Sequence, residues 1–352
     1  MKKDAPEPVR AAGEGPRIGT KRFRPLWWGL LILFVALLFL AVDVSLFLTS
    51  PGSGRRDPVI IDIPVGTSVP SLCDLLEQRG VVRSGFRFRL YARLKGETHR
   101  IKAGEYEFSP SLRPDGVLSK LVRGEVFLHQ ITFPEGTTIH DVAALLAARG
   151  LAGAEEVLAA ATDRTLAREL GIPASTVEGY CFPDTYRFAR HLPAATIIRT
   201  MVARFNQYFG PTQEEQAQHL GLTRHQVVIL ASIVEKETGA AAERPLIAGV
   251  FLNRLRRGMP LQSDPTVIYG VANFDGNLTR VHLLTDTPYN TYTRPGLPAG
   301  PVANPGAGSL DAVLSPAATP YLYFVAKGDG THQFSATLHE HNAAVAHYQL
   351  HR

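Results

Sequence analysis

Residues 26–48 form one apolar run, LWWGLLILFVALLFLAVDVSLFL, in which Asp43 is the only charged side chain. Peptide groups in hydrocarbon must pair within their own segment, so a run of about 20 apolar residues predicts a membrane-spanning helix. Trp27 and Trp28 open it, where amphipathic rings favour the bilayer interface. Residues 1–25 hold seven Lys or Arg against three Asp or Glu, which accounts for +4 of the formal net charge of +5. Arg55 and Arg56 are a lighter load on the far side. This bias sets the N-terminus in the cytoplasm and the long C-terminal part outside. A cleaved signal peptide fits less well, because its apolar core spans only about 7–15 residues and ends at a small-x-small site. This run is longer and is followed by TSPG at 49–52. The high pI belongs to the tail, so nucleic acid is not an expected partner; that would need a basic stripe on a folded domain.

Beyond a Gly/Pro/Ser linker, the sequence repeats itself. IPVGTSV at 63–69 recurs as FPEGTTI at 133–139, Leu75 and Leu76 recur as Leu145 and Leu146, and Arg79–Gly80 recurs as Arg149–Gly150. Each copy reads as a strand, a Gly turn, a Ser or Thr cap, an amphipathic helix and a Gly stop. Between the copies, IKAGEYEF at 101–108 alternates as a strand does. Residues 151–222 read mainly helical. They are interrupted by EGYCFPDTYRF at 178–188, which reads as an aromatic-rich loop because Pro183 ends local helix. There are two cysteines, Cys73 and Cys181. An outside location permits a disulfide, and two separate buried thiols are equally compatible.

From Thr223 to Gly239 runs a helix with a Thr N-cap and a Gly stop. Residues 227–234 are apolar except Ser232, so the helix is expected to be buried nearly all round. Glu235 and Glu237 terminate it. Helical spacing groups Glu235 with Val228, Ala231 and Ser232, and Glu237 with Leu230, Ile233 and Val234. A carboxyl against apolar neighbours at a helix C-terminus tends to stay protonated, as a general acid near neutral pH must. The same EKE triplet also suits a solvated last turn, and periodicity does not choose between the two glutamates. The next helix carries Ile247, Val250, Phe251 and Leu255 at core spacing. After it come loops rich in amides, hydroxyls and tyrosines. These suit sugar hydroxyls and pyranose faces, although each alone is turn chemistry.

LASIVEKET at 230–238 resembles the core motif of the YceG-like (MltG) family of endolytic murein transglycosylases. So does the order VFLNRL at 250–255, LQSDPTVIY at 261–269, YNTY at 289–292, GLP at 296–298 and PYLYFV at 320–325. His332, Phe334, His341 and Asn342 follow the same pattern, as do FPEGT at 133–137 and FPDTY at 182–186 upstream. The resemblance implies an α+β fold: an N-terminal transmembrane helix, small βα (LysM-like) modules, a helical bridge and a C-terminal YceG-like catalytic domain. Charge and hydropathy read as a cytoplasmic basic tail at 1–25, an anchor at 26–48 and a linker at 49–57. A small α/β module follows at 58–128, a second βα repeat with the bridge at 129–222, and the catalytic domain at 223–352.

The resemblance further implies cleavage of the MurNAc-β-1,4-GlcNAc bond of nascent glycan strands with formation of 1,6-anhydro-MurNAc ends. The first glutamate of the motif, Glu235, is then the catalytic residue, acid first and base second. An internal hydroxyl as nucleophile removes the need for the second carboxylate of an ordinary glycosidase. Gln262, Asp264, Tyr289, Asn290 and Tyr292 are candidate substrate contacts, with Glu237 and Ser232 as supporting residues. No cofactor is implied. No metal site is expected either, because His332, His339 and His341 lack a helical His-Glu-x-x-His arrangement or cysteines. The expected partners are peptidoglycan strands, the inner membrane and cell-wall synthases. Two rival readings are a hydrolytic muramidase, with Asp264 activating water, and a non-catalytic wall-binding scaffold for division or elongation.

Overall fold

The computed structural model describes residue 1 and residues 24–52, 56–237 and 239–350. Most of the basic tail, part of the linker and Thr238 lie outside them. The chain divides into two compact units, residues 1–103 with 107–124, and residues 104–106 with 125–352.

The first unit begins with α1 (Arg24–Thr49), a helix long and apolar enough to cross a membrane. Its 26 residues reach about 39 Å, against a hydrocarbon core of about 30 Å. Then come β1 (Val59–Ile63), α2 (Val69–Gln78), α3 (Gly85–Leu94), β2 (Gly104–Phe108), whose first three residues are counted with the second unit, and α4 (Pro114–Arg123), with β1 hydrogen-bonded to β2. Ser68 caps α2 by accepting the Ser71 N–H at 3.2 Å. Leu72, Leu76, Phe88, Val117 and Leu121 form the buried centre of this unit.

The second unit opens on the other copy of the repeat, β3 (Leu128–Thr132) and α5 (Ile139–Ala148). Here Thr138 and Asp141 form a reciprocal capping box. Strand β3 pairs antiparallel with β4 (Thr185–Ala189), Ile131 facing Tyr186. This corrects the loop reading of residues 178–188, whose last part is a strand. Tyr186 and Phe188 alternate inward, a period too short to stand out beside Pro183. Helices α6 (Ala154–Ala161), α7 (Arg164–Glu169), α8 (Ala194–Tyr208) and α9 (Pro211–His219) complete this part.

Helix α10 (Arg224–Glu237) runs through the middle of the C-terminal part, and all eight residues from Val227 to Val234 are buried. It packs on α9, on α11 (Arg244–Arg256), on α12 (Asp264–Gly270) and on α14 (Ala307–Leu314). A short α13 (Arg280–Leu284) precedes α14. The chain closes with the antiparallel pair β5 (Tyr323–Ala326) and β6 (His332–Ser335), then α15 (Leu338–Val345).

Gly179 shows how tightly the 178–182 segment meets α10. Its φ is +84°, and a Cβ there would lie 2.6 Å from the Pro301 ring and 2.7 Å from Val228 Cγ1. Left-handed strain and overpacking together predict that Gly179→Ala costs roughly 2–4 kcal/mol. A lowered midpoint in thermal unfolding checks this. Cys73 and Cys181 are both free and buried.

Candidate active site

The site is assembled on loops that buried polar groups hold in place. Glu178 is 1% exposed. Its carboxyl accepts the Ile139 N–H of α5 at 3.1 Å, Asn304 Nδ2 at 3.2 Å and the Tyr269 hydroxyl at 3.0 Å. Burial outweighs these bonds and pushes its pKa up to about 7. Asn304 in turn accepts the Cys181 N–H and donates to Thr137 O, at 2.9 and 2.8 Å. The neighbouring Val302 N–H is tied to Ser232 Oγ at 3.0 Å, and that hydroxyl donates to Ile229 O. Ser232 thus pins this loop to the flank of α10.

The two glutamates at the end of α10 are two residues apart, so they leave the helix on different faces. Glu235 Oε2 accepts the Gly306 N–H at 2.9 Å, and Oε1 accepts Arg244 Nη2 at 3.2 Å. The same guanidinium nitrogen reaches Glu135 Oε2 at 3.3 Å. The Glu235 side chain is 6% exposed. Both of its oxygens therefore hold a helix and two loops together.

Glu237 faces a cleft of about 400 Å³ lined also by Arg254, Gln262, Asp264, Tyr292 and His341. Ser263 Oγ donates to Glu237 Oε1 at 2.5 Å. Burial pushes the Glu237 pKa up to about 7, and nearby Asp264 adds to the rise; Ser263 and Arg254 oppose it. Arg254 is itself buried and donates to the carbonyls of Leu322, Pro260 and Leu261. Asp264 Oδ1 accepts the Tyr292 hydroxyl at 2.6 Å. Gln262 has a φ of +50°, a left-handed conformation that a non-glycine residue keeps only where its surroundings enforce it. His341 is held below its ordinary pKa by burial and by Arg254, and its buried Nδ1 has no hydrogen-bond partner among the described residues.

The structure thus gathers Gln262, Asp264 and Tyr292 around Glu237 and sets Glu235 and Ser232 elsewhere. Tyr289 packs on Tyr269 with ring centroids 4.8 Å apart. Asn290 is buried, and its Nδ2 donates to the carbonyls of His282, Leu283 and Thr285, so it locks a loop. Glu135, Glu178, Arg244 and Arg254 were not singled out from the sequence, although Glu135 lies in the FPEGT motif at 133–137 and Arg254 in VFLNRL at 250–255. His332 pairs with Glu243 at 2.7 Å, and among the described residues no His, Cys, Asp and Glu group could hold a metal ion.

The raised Glu237 pKa has a stability consequence. Between the ordinary value of 4.5 and about 7 the folded protein keeps a proton that the unfolded chain has released. The stabilisation is complete below pH 4.5 and is lost as pH rises through 7. Glu237→Gln mimics the protonated form. Its thermal stability should match wild type near pH 4 and exceed it at pH 8, by up to about 3 kcal/mol.

A buried helix ending in a proton-holding carboxyl, facing a cleft of amide, hydroxyl and carboxylate groups, is the layout of a site for acid chemistry on a polar substrate. A sequence model of the YceG-like family matches residues 61–347, and the chain belongs to that family. It is 35% identical over 309 residues to a Bacillus subtilis (strain 168) protein named endolytic murein transglycosylase, covering 83% of this chain and 85% of that one. A protein of the same name from Streptococcus pneumoniae serotype 2 is 30% identical over 322 residues, covering 82% of this chain and 58% of its own length. A crystal structure of a yceG-like protein from Listeria monocytogenes superposes with a TM-score of 0.57 at 32% identity, covering 82% of this chain and 99% of that one.

Proposed function

We propose that this chain is a membrane-anchored endolytic murein transglycosylase in which Glu237 is the general acid. The observation that carries this reading is the placement of Glu237 at the wall of the cleft that also holds Gln262, Asp264 and Tyr292. The family resemblance implies Glu235 for the role; we move it to Glu237 because that side chain lines the cleft. Both oxygens of Glu235 are engaged by Arg244 and the Gly306 N–H, so Glu235 serves to position the helix end.

In the proposed reaction Glu237 protonates the leaving oxygen of the MurNAc-β-1,4-GlcNAc bond as that bond breaks. Positive charge develops at the anomeric carbon and ring oxygen, where Asp264 offers a carboxylate. The muramyl 6-hydroxyl then attacks the anomeric carbon and gives its proton back to Glu237, which leaves a 1,6-anhydro end. Proximity within one sugar supplies the nucleophile without a water-activating base. On the same reading α1 anchors the chain in the inner membrane with its folded part outside. The repeated βα units are then LysM-like glycan-binding modules working beside cell-wall synthases.

Glycan strands polymerised in vitro test the reading. The full chain is expected to shorten long strands to mid-length products. Strands left at full length after prolonged incubation would favour the scaffold reading.

A further inference from the structure

Helix α3, of sequence GFRFRLYARL, buries Phe88 and Ala92 against its own unit. Its other side leaves Phe86 72%, Leu90 48% and Leu94 79% exposed. Spaced four residues apart, these three form one stripe. Arg89 and Arg93 edge the stripe on one flank and Arg87 on the other, and Lys95 follows at the C-cap; all four are exposed, and the helix contains no acid. A continuous apolar stripe edged by cations is the pattern of a helix lying in a membrane interface.

A second observation fixes where that stripe lies. The apolar span of α1 ends at Thr49, and Asp43 is six residues before it, about 9 Å along the axis. Arg87 Nη1 pairs with Asp43 Oδ1 at 2.9 Å. Phe47, one turn on from Asp43 and on the same face, is 6% exposed. Arg87 therefore ties the first turn of α3 to the last turns of the spanning helix, near the end of its apolar span.

We propose that α3 is an interfacial helix that lays Phe86, Leu90 and Leu94 into the membrane surface from which α1 emerges and sets its arginines on anionic lipid headgroups. The inference rests on the reading of α1 as a membrane anchor. It also assigns the lone acid of the spanning segment a task, as the counter-charge that holds α3 at the bilayer.

The test uses the full chain in vesicles of phosphatidylcholine with and without phosphatidylglycerol, carrying a polarity-sensitive fluorophore on Leu94→Cys. The two native thiols are buried and do not compete for label. The expected result is blue-shifted emission and quenching by headgroup-nitroxide lipid about twofold above that of a label on exposed Glu107→Cys. The effect should be larger with phosphatidylglycerol, and Arg89→Glu with Arg93→Glu should remove that excess alone. Protein that floats with vesicles while its label stays in water overturns the inference and leaves the anchor reading standing. A label shielded from water yet untouched by nitroxide lipid points to a protein partner and also overturns it. Protein that does not float overturns the anchor reading and this inference together.

Discussion

Glu237→Gln is expected to slow glycan cleavage by about 10³-fold or more while the protein stays folded. A positioned general acid contributes on the order of 10²–10⁴ in rate. The rest of the cleft offers no ready replacement. Asp264 is bound by the Tyr292 hydroxyl at 2.6 Å, and His341 is held toward its neutral form. Because the carboxyl must carry its proton to act, activity should fall as pH rises through about 7, the value to which burial pushes Glu237. Glu235→Gln removes one charge from a partly buried ion pair with Arg244. It should cost less, about tenfold, and leave the pH limb where it is. Steady-state rates on in vitro glycan across pH 5–9 separate the two variants.

Glu178→Ala is expected to destabilise the fold by roughly 3–5 kcal/mol, the range for stripping one partner from a buried polar network. The Ile139 N–H and the Tyr269 hydroxyl both point at this carboxyl. Asn304, which holds the loop leading to Gly306, does so too. Glu178→Gln keeps the volume and one of the two acceptor oxygens, and its NH2 can donate to the Tyr269 hydroxyl. Its cost should be smaller, and smallest at pH 8, because the wild-type carboxyl with its pKa near 7 must there bury a charge. Urea unfolding of both variants at pH 5 and pH 8 checks the size and its direction with pH.

Some of this architecture was legible in the residues. The apolar run of α1 has no periodicity to misread, and the repeat returned the same strand, Gly turn and capped helix at both copies. The buried character of α10 followed from its near-continuous apolar sequence. Which of Glu235 and Glu237 lines the cleft could not follow, because the cleft wall is built by residues distant in sequence. Arg254, Gln262, Tyr292 and His341 arrive from α11, two loops and α15. Nothing local marks Arg254 as buried, and the carbonyls of residues 260, 261 and 322 make its burial tolerable. The YNTY motif divided for a similar reason. Tyr292 reaches the cleft, whereas the Asn290 amide serves three loop carbonyls that no local pattern announces.

The most direct test of the central claim is the mass of fragments released from purified peptidoglycan by the wild-type chain, Glu235→Gln and Glu237→Gln. Anhydro-muramyl ends from wild type and from Glu235→Gln, absent with Glu237→Gln, are the predicted result. Fragments one water heavier would make the enzyme a hydrolase, with Asp264 beside Glu237 as its second carboxylate. Anhydro ends that persist in Glu237→Gln and vanish in Glu235→Gln would contradict the assignment and return the acid to Glu235.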